Sequence, residues 1–415
     1  MSTPMSTPAT GFRRRLQRLR SLYFSAAILV LNTLVVYFLL NVALGIVFLV
    51  RDAFRAKTNP VSLTYGARLD AVYPDFPEPE RTQMLSEAWN RPYRYADFIH
   101  FQERPCVGKY VNVDEAGFRH SIAQGPWPPD PKHLNIFCFG GSTMFGYGLP
   151  DDQTVASCLQ RALAQDLKRR VCVYNFGVGW HYSTQERLRF ELLLASEFVP
   201  DIALFLDGIN DSTQAGLNRP AFSPQLSAAF EQVQGFGFQS PARSAAATSG
   251  SVADALIYRW PVGRLIHSLA PRRTASNSVP ILLDDHLATR SCAVYRWNRD
   301  LITAAAKMRG VVPIFVLQPA PGYHLDPEKH LFANPDLCRN EALFYETLKL
   351  DLNAHPAGNN FLWTADLVDT TAGPLYVDTC HYTATFSQTI ATEILRVCQK
   401  RGLIQIKKLT EAAIP

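Results

Sequence analysis

The chain has 415 residues and eight cysteines, but no two cysteines form a Cys-x-x-Cys pair. It also has no Gly-x-Gly-x-x-Gly run and no phosphate-binding loop. These absences argue against a zinc ribbon, a thioredoxin-type redox site and a nucleotide-binding motif. No group of histidines, cysteines and carboxylates has metal-ligand spacing either. The sequence therefore predicts no metal and no bound cofactor.

An excess of basic over acidic residues is confined to the N-terminal region. Residues 1–60 hold eight basic residues and one acidic residue, whereas the whole chain has a net charge of +5. The rest of the chain is therefore slightly acidic. Because the basic excess does not cover the body of the protein, we expect no nucleic-acid partner.

Residues 22–50 contain no charged residue. Since about 20 apolar residues span the hydrocarbon core of a bilayer, this run predicts one transmembrane helix. A cleaved signal peptide has a shorter apolar region of about 7–15 residues. A buried core helix that is apolar on all faces at this length is rare in soluble domains. The expected partner of this segment is therefore the lipid bilayer.

The flanking charges predict the orientation of this span. Five arginines precede it in the tail of residues 1–21, and three basic residues follow it. The positive-inside rule then places the tail in the cytoplasm and the remaining chain in the periplasm or another extracytoplasmic compartment. Within the tail, residues 1–11 are small and polar, and we expect them to be disordered.

Residues 58–132, called the apron below, contain ten prolines and many aromatic residues. Prolines at this density exclude long helices. A short helix near residues 80–89 and a strand at 109–113, followed by a turn, are predicted. The apron either packs on the next domain and lines its cleft, or serves as a spacer from the membrane.

From residue 133 to the end, predicted strands alternate with predicted helices. This pattern indicates a parallel sheet with helices on both faces, hence a three-layer α/β/α domain with a five-stranded parallel sheet. Residues 212–290 interrupt the alternation, and we interpret them as an insertion that forms a cap or lid with a flexible part. The predicted strands lie near 134–139, 171–176, 201–206, 311–317 and 361–366, and the helices near 154–168, 184–197, 292–309, 338–352 and 384–400.

Four short motifs lie after predicted strands or in loops. Residues 134–143 read LNIFCFGGST, residues 171–179 read VCVYNFGVG, residues 201–211 read DIALFLDGIND, and residues 378–381 read DTCH. Glycines allow sharp turns, and open α/β sheets bind ligands at the carboxyl ends of their strands. Right-handed crossovers bring these ends to one edge, so the motifs should gather there.

In combination these motifs resemble those of the SGNH hydrolases, also called GDSL-type esterases and lipases. The resemblance covers about residues 134–400 and implies a flavodoxin-like SGNH fold and ester hydrolysis. The usual Gly-Asp-Ser of the family is Gly140-Gly141-Ser142 here, a variant common among membrane-anchored bacterial members.

Acyl transfer needs a nucleophile, a base and donors for the developing oxyanion. Ser142 is the candidate nucleophile, and His381 is the candidate base because an ordinary imidazole pKa of about 6.5 suits that role. Asp378 stands three residues before His381, so one turn can present both side chains. Asp378 could instead cap the last helix.

Asn210 is the candidate side-chain donor to the oxyanion, because its amide carries two N–H groups. Its alternative role is to stabilise a turn, and the Ser142 N–H would be a second donor. The resemblance implies a third donor at a glycine five residues after the asparagine of the second motif. That position is Trp180, preceded by Gly179, and both are candidates. Gln318 follows a later strand and either contacts substrate or satisfies loop groups.

The sequence thus predicts a membrane-anchored serine hydrolase that cleaves a carboxylic ester, one candidate being an O-acetyl group on a carbohydrate or cell-envelope polymer. An O-acyltransferase would use the same triad, with a sugar hydroxyl replacing water. A catalytically inactive binding module on this fold is a further alternative. The full set of Ser, His, Asp and Asn argues against the inactive module.

Overall fold

The structure is a computed structural model, and it describes residues 8–56, 60–166, 170–217, 260–269, 282–324 and 330–404. The chain divides into two compact units. The first contains Met1–Arg55 and Glu231–Asn277, and the second contains Ala56–Phe230 and Ser278–Pro415. The second unit therefore holds both the apron and the predicted hydrolase domain.

The first unit is built on helix α1, Pro8–Ala56. Within it, Arg15–Arg51 is long and apolar enough to cross a membrane. The expected disorder of residues 8–11 is wrong, because the helix already begins at Pro8. Proline suits the first position of a helix, and the arginine-rich stretch that follows has high helix propensity.

Part of the predicted insertion packs on α1 inside this first unit. The helix Pro261–Leu269 begins beside Asn41, whose side-chain oxygen accepts a hydrogen bond from the Val262 N–H at 3.1 Å. The rings of Tyr37 and Trp260 lie 6.0 Å apart at the same place. Residues 218–259 and 270–281 lie outside the described residues, so the interpretation of the insertion as a lid stays a prediction.

The second unit contains a parallel sheet of five strands. Numbering the apron strands β1 and β2, these are β3 to β7, in the spatial order β4-β3-β5-β6-β7. Counted from the first strand of this sheet, the order is 2-1-3-4-5, which is the flavodoxin-like order. The predicted fold class is confirmed. The strands are Leu134–Gly140, Val171–Asn175, Ile202–Asp207, Val312–Leu317 and Phe361–Trp363.

The helices of this unit follow the predicted pattern, with boundary shifts of a few residues at most ends. The largest shift is at the helix predicted from residue 292, which begins at Asp285, where Asp284 caps it by accepting a hydrogen bond from the Leu287 N–H. The main helices are Val155–Asp166, Ser183–Ala195, Asp285–Arg309, Pro335–Ala354 and Ala384–Lys400.

Both faces of the sheet are buried, as expected for a parallel sheet covered by helices. On one face, a row of stacked rings crosses three neighbouring strands: Phe139 and Phe205 lie 4.9 Å apart, and Phe205 and Phe315 lie 5.5 Å apart. Cys138 and Cys172 are completely buried, where a thiol behaves as a small apolar group. All eight cysteines are free thiols.

The apron packs on the hydrolase domain and is not a spacer. Its helix Glu78–Trp89 and the segments around it form two apolar clusters with residues of the domain. One cluster includes Val377, which precedes Asp378, and the other includes Phe145 and Tyr147, which follow Ser142. The apron therefore reaches the loops that carry the predicted catalytic residues.

Two details of the apron differ from the sequence prediction. The strand predicted at 109–113 does not form, because the N–H groups of Tyr110 and Val111 donate to the Glu87 carboxylate instead of to a partner strand. A hairpin that the sequence analysis missed, Tyr93–Ala96 paired with His100–Glu103, lies upstream of it.

Candidate active site

Ser142 begins a short helix, Ser142–Phe145, directly after strand β3. Its side chain is half-buried. Arg119 of the apron is completely buried and closes this helix by donating hydrogen bonds to the carbonyls of Phe145 and Gly146, at 2.9 and 2.8 Å. The apron thereby fixes the loop that carries the candidate nucleophile.

Asn210 lies against the serine turn. A Cβ atom at position 141 would overlap the Asn210 amide nitrogen and lie 3.1 Å from the His181 carbonyl oxygen. Glycine at 141 therefore permits the close approach of the Asn210 amide. The amide nitrogen donates to that carbonyl at 2.7 Å, which occupies one of its two N–H groups. Since Ser142 and Asn210 follow the adjacent strands β3 and β5, they sit at the switch point where this fold binds ligands.

Asp378 and His381 form a buried pair. The imidazole Nδ1 donates to both carboxylate oxygens of Asp378 at 2.8 Å. The carboxylate also accepts the N–H groups of Cys380 and His381, at 3.0 and 2.9 Å. The other ring nitrogen, Nε2, is buried and has no hydrogen-bond partner among the described residues. When the imidazole is neutral and its proton is on Nδ1, Nε2 is free to accept a proton, as a general base must.

The pair shifts the pKa of both members. Burial opposes ionisation of Asp378, but attraction to His381 and three hydrogen bonds outweigh it, and the carboxyl pKa is lowered. Burial also opposes the charged imidazole, but the adjacent carboxylate outweighs it and raises the pKa of His381 well above 6.5. An imidazolium formed during a reaction would thus be stabilised.

Two residues connect the serine loop to the histidine loop. Tyr147 donates its N–H to the Ser142 carbonyl at 3.2 Å, and its ring lies 5.6 Å from that of His381. The amide oxygen of Gln318 accepts from Thr143 at 2.6 Å and from Tyr382 at 2.9 Å. Gln318 is only 2% exposed. These contacts favour its role in satisfying loop groups over the predicted contact with substrate.

The predicted oxyanion turn, residues 178–181, is closed by a hydrogen bond from the His181 N–H to the Val178 carbonyl at 3.1 Å. Trp180, its third residue, has φ +67°. A positive φ at this place is the mark of a type II turn, which ordinarily has glycine there, and another residue costs about 1–3 kcal/mol. The Trp180 side chain is 50% exposed. The turn thus holds a tryptophan in a backbone conformation that ordinarily belongs to glycine.

The N–H group of Gly179 already has a hydrogen-bond acceptor within the protein. Its N–H donates to the buried carboxylate of Glu103 at 3.1 Å, and a Cβ atom here would overlap the Tyr93 hydroxyl. Glu103 also accepts from the Tyr147 hydroxyl at 2.9 Å, and it pairs with Arg91 at 3.3 Å. Of the two predicted backbone donors, these contacts favour Trp180.

The apron residues around the turn and the histidine are functional candidates that sequence reasoning missed. Trp89 packs edge-on against His381 at 5.1 Å, while Tyr93 and Glu103 surround Gly179. No sequence motif marks them, because their partners lie tens to hundreds of residues away along the chain. The density of aromatic residues in the apron was the only signal.

Three carboxyl groups that interact with one another, those of Glu186, Asp207 and Asp211, are buried near Asn210. Burial, followed by repulsion from Asp211, raises the pKa of Asp207 to about 8, and burial and Asp207 raise that of Glu186 as well. Both oxygens of Asp207 lack a conventional donor among the described residues. We infer that Glu186 and Asp207 share a proton. Asp211 accepts from the Ser183 hydroxyl at 2.5 Å.

Two groups of side chains in the described residues have metal-ligand types close together. One is Asp378, Cys380 and His381, in which Nδ1 and the carboxylate already bind each other. The other is the exposed group of His324, Asp366 and Asp369, where the imidazole Nδ1 lies 3.1 Å from Asp369 and 3.7 Å from Asp366. Exposed acidic groups of this kind are ordinary surface features.

No family model and no curated protein matches the chain. Among solved structures, it is similar to a lipase/acylhydrolase from Enterococcus faecalis, with 14% identity, coverage of 66% of this chain and 98% of that one, and a TM-score of 0.36. It is also similar to a member of the lipolytic G-D-S-L family from Veillonella parvula, with 14% identity, 64% and 98% coverage, and a TM-score of 0.34.

A third similar structure is the psychrotrophic esterase EstA from a Pseudoalteromonas species, with 13% identity, 64% and 97% coverage, and a TM-score of 0.33. Structures of lipolytic hydrolases are thus among those to which the chain is similar, as its motifs led us to expect. At these identities and TM-scores, its chemistry has to be argued from its own site.

Proposed function

We propose that the chain is a membrane-anchored serine hydrolase that cleaves a carboxylic ester through an acyl-serine intermediate. The observation that carries this proposal is the buried Asp378–His381 pair, in which Nδ1 binds the carboxylate and Nε2, near the Ser142 loop, has no hydrogen-bond partner among the described residues. A purely structural histidine would be expected to use both ring nitrogens when buried.

In the proposed reaction, the Ser142 hydroxyl attacks the ester carbonyl and His381 Nε2 takes its proton. The tetrahedral oxyanion is bound by the N–H groups of Ser142 and Trp180 and by the Asn210 amide. His381 then protonates the departing alcohol, and water attacks the acyl-serine with the same base. Asp378 orients the imidazole and stabilises its charged form.

The proposed location follows from the helix Arg15–Arg51 and the charges around it. That helix is long and apolar enough to span a bilayer, and the arginines before it favour a cytoplasmic N-terminus. The catalytic unit would then act outside the cytoplasm. Esters available there include O-acetyl groups on carbohydrates and envelope polymers, which we propose as the first substrates to test.

The test uses the full chain purified in detergent. We expect hydrolysis of short-chain aryl esters and of an acetylated polysaccharide. Ser142→Ala should abolish it, while Ser196→Ala, at an exposed serine after the helix Ser183–Ala195, should keep it. Wild-type activity in the Ser142→Ala variant would refute the proposal. Acetyl transfer to an added polysaccharide, in place of free acetate, would make the protein an O-acyltransferase.

A second arm tests whether Ser142 and His381 act as one unit. Each needs the other to form the acyl-enzyme, so Ser142→Ala, His381→Ala and the double variant should lose similar activity. A double variant much less active than either single variant would indicate a different nucleophile.

A further inference from the structure

Asn41 is a buried polar residue in a stretch of α1 that is otherwise apolar and largely exposed. It is 4% exposed, whereas its neighbours Leu40 and Val42 are 46% and 45% exposed. A polar group in hydrocarbon costs free energy unless it is hydrogen-bonded. The Asn41 Nδ2 donates to the Tyr37 carbonyl at 2.8 Å, and its Oδ1 accepts the Val262 N–H at 3.1 Å. Both ends of the amide are therefore in use, and one partner belongs to the insertion.

The helix Pro261–Leu269, called the insertion helix below, begins at this contact. The first N–H groups of a helix have no acceptor within the helix itself. Pro261 has no N–H, and Val262 donates to Asn41. Gly45, one turn after Asn41, lies beside Pro261, since a Cβ atom there would be 3.5 Å from the proline ring. The insertion helix therefore starts in close contact with α1.

The place of this contact along α1 decides its depth in a bilayer. Residues 22–50 carry no charge and rise by about 43 Å as an α-helix, while the hydrocarbon core is about 30 Å thick. The run therefore exceeds the core by about 13 Å. If the whole excess lay at the C-terminal end, the core would still reach about residue 41. Every other placement of the run puts Asn41 deeper, so its contact with Val262 lies inside the hydrocarbon core or at its boundary.

The insertion helix has the pattern of a segment that lies in a membrane interface. Its sequence, PVGRLIHSL, has apolar residues at 262, 265 and 266, which share one helix face, and polar residues at 264, 267 and 268. Ile266 is 58% exposed, and Trp260, directly before the helix, is 42% exposed. The Trp260 ring lies 6.0 Å from that of Tyr37. At the depth of Asn41, lipid covers such apolar side chains, and tryptophan is enriched at membrane interfaces.

We propose that residues 260–269 are a second membrane-binding element, an amphipathic helix that docks on α1 through Asn41 and whose exposed apolar side chains contact lipid. The proposal rests on the membrane anchoring in the proposed function, but not on ester hydrolysis. Residues 231–277 of the first unit interrupt the chain of the second unit. The catalytic unit is then joined to the membrane by three chain connections, one at the end of α1 and one at each end of the insertion.

The first test measures contact with lipid through tryptophan fluorescence. The full chain is reconstituted in phosphatidylcholine vesicles, with and without lipids brominated in their acyl chains, which quench nearby tryptophans. We expect quenching in the wild type and the loss of most of it in Trp260→Phe. The matched control is Trp297→Phe, because Trp297 is 56% exposed on the helix Asp285–Arg309 of the catalytic unit. This variant should keep the quenched signal.

Quenching that is unchanged in Trp260→Phe would mean that something other than lipid covers the insertion helix, such as a second copy of the chain, and would overturn the proposal. Extraction with alkaline carbonate separates this failure from that of the proposed location. A wild-type protein released by carbonate is not anchored by α1, which refutes both proposals. A protein that stays in the membrane without quenching of Trp260 refutes only the docking.

The second test concerns the hydrogen bond itself. Asn41→Leu removes the acceptor of the Val262 N–H and keeps the span apolar. A hydrogen bond between membrane helices changes such an equilibrium by about threefold or more, and proteolysis of a transiently opened segment follows the open population. In lipid nanodiscs, tryptic cleavage after Arg264 should therefore become about threefold faster or more.

The control for this test is Asn32→Leu, since Asn32 is an exposed asparagine of the same helix. Its cleavage rate after Arg264 should equal that of the wild type. Equal acceleration in both variants would mean that the span as a whole had been disturbed. That result, or a wild-type rate in Asn41→Leu, would overturn the proposal.

Discussion

Gly141 offers a sharp test of the candidate site, because the smallest enlargement there acts mainly on the Asn210 amide. A methyl group at 141 would overlap the Asn210 amide nitrogen by about 1 Å relative to van der Waals contact. That nitrogen is the end of a side chain and can move aside. The backbone φ of Gly141 is −78°, which alanine also adopts. Gly141→Ala should therefore fold almost normally.

The substitution Gly141→Ala should lower the catalytic rate and leave stability almost unchanged. An oxyanion donor must lie about 2.7–3.1 Å from its target, and a misplacement of about 1 Å can cost a hundredfold. We expect Gly141→Ala to lower kcat by about a hundredfold or more, with KM and melting temperature changed little. The assay is steady-state ester hydrolysis, with a melting curve recorded on the same sample.

The control is Asn210→Ala, which removes the donor outright. Its loss should be similar, about a hundred- to a thousandfold, and the double variant should be no worse than the poorer single variant, because both act on one donor. Wild-type turnover in Gly141→Ala, or a loss that merely follows unfolding, would refute the placement of Asn210 in the oxyanion site.

Two other predictions concern pH and topology. The raised pKa of Asp207, about 8 against about 3.9 in an unfolded chain, means that the folded protein keeps a proton which the unfolded chain releases. This contribution to stability is present below about pH 4 and is lost as pH rises to about 8. Asp207→Asn should flatten the fall in melting temperature between pH 5 and pH 9, and an unchanged slope would contradict the assignment. A C-terminal reporter active only outside the cytoplasm should be active, whereas a silent reporter on a stable fusion would contradict the proposed topology.

Much of the fold follows from local sequence patterns. Apolar runs predict each strand of the sheet, three of them ending in glycine, and the spacing between them leaves room for a crossover helix. The right-handedness of the strand–helix–strand crossovers then decides at which edge of the sheet the loops after the strands lie. The five parallel strands and their alternating helices were predictable for this reason, although the last strand is shorter than expected and the apron strand at 109–113 is absent.

The candidate dyad was predictable for a similar local reason. Asp378 and His381 are three residues apart, so a single turn brings them together, and the structure shows their hydrogen bonds. Gly141 could be singled out as an unusual residue in its motif. Its reason, the close approach of Asn210, depends on two strands that are adjacent only in the folded sheet.

The contacts between the apron and the candidate site could not be predicted from the sequence alone. Its helix near residues 80–89 was predictable from composition, but its contacts with the site were not. Glu103 meets Gly179 across 76 positions of the chain, and Trp89 meets His381 across an even longer stretch. No periodicity or motif encodes such pairs, because they arise from the way two independently formed elements pack.

The sequence by itself thus determined the order in which the candidate site residues occur along the chain. The serine comes first, then the glycine turn, the asparagine and the histidine, each at the end of a strand or in a loop. Only the tertiary structure decided that the Gly179 N–H of the turn is already hydrogen-bonded and that the Glu103 carboxylate is its acceptor. The physical reason is how far apart along the chain the interacting residues lie. Backbone turns and dyads depend on neighbours a few residues away, whereas buried charges and strained turns are held by contacts between distant segments, which exist only once the chain has folded.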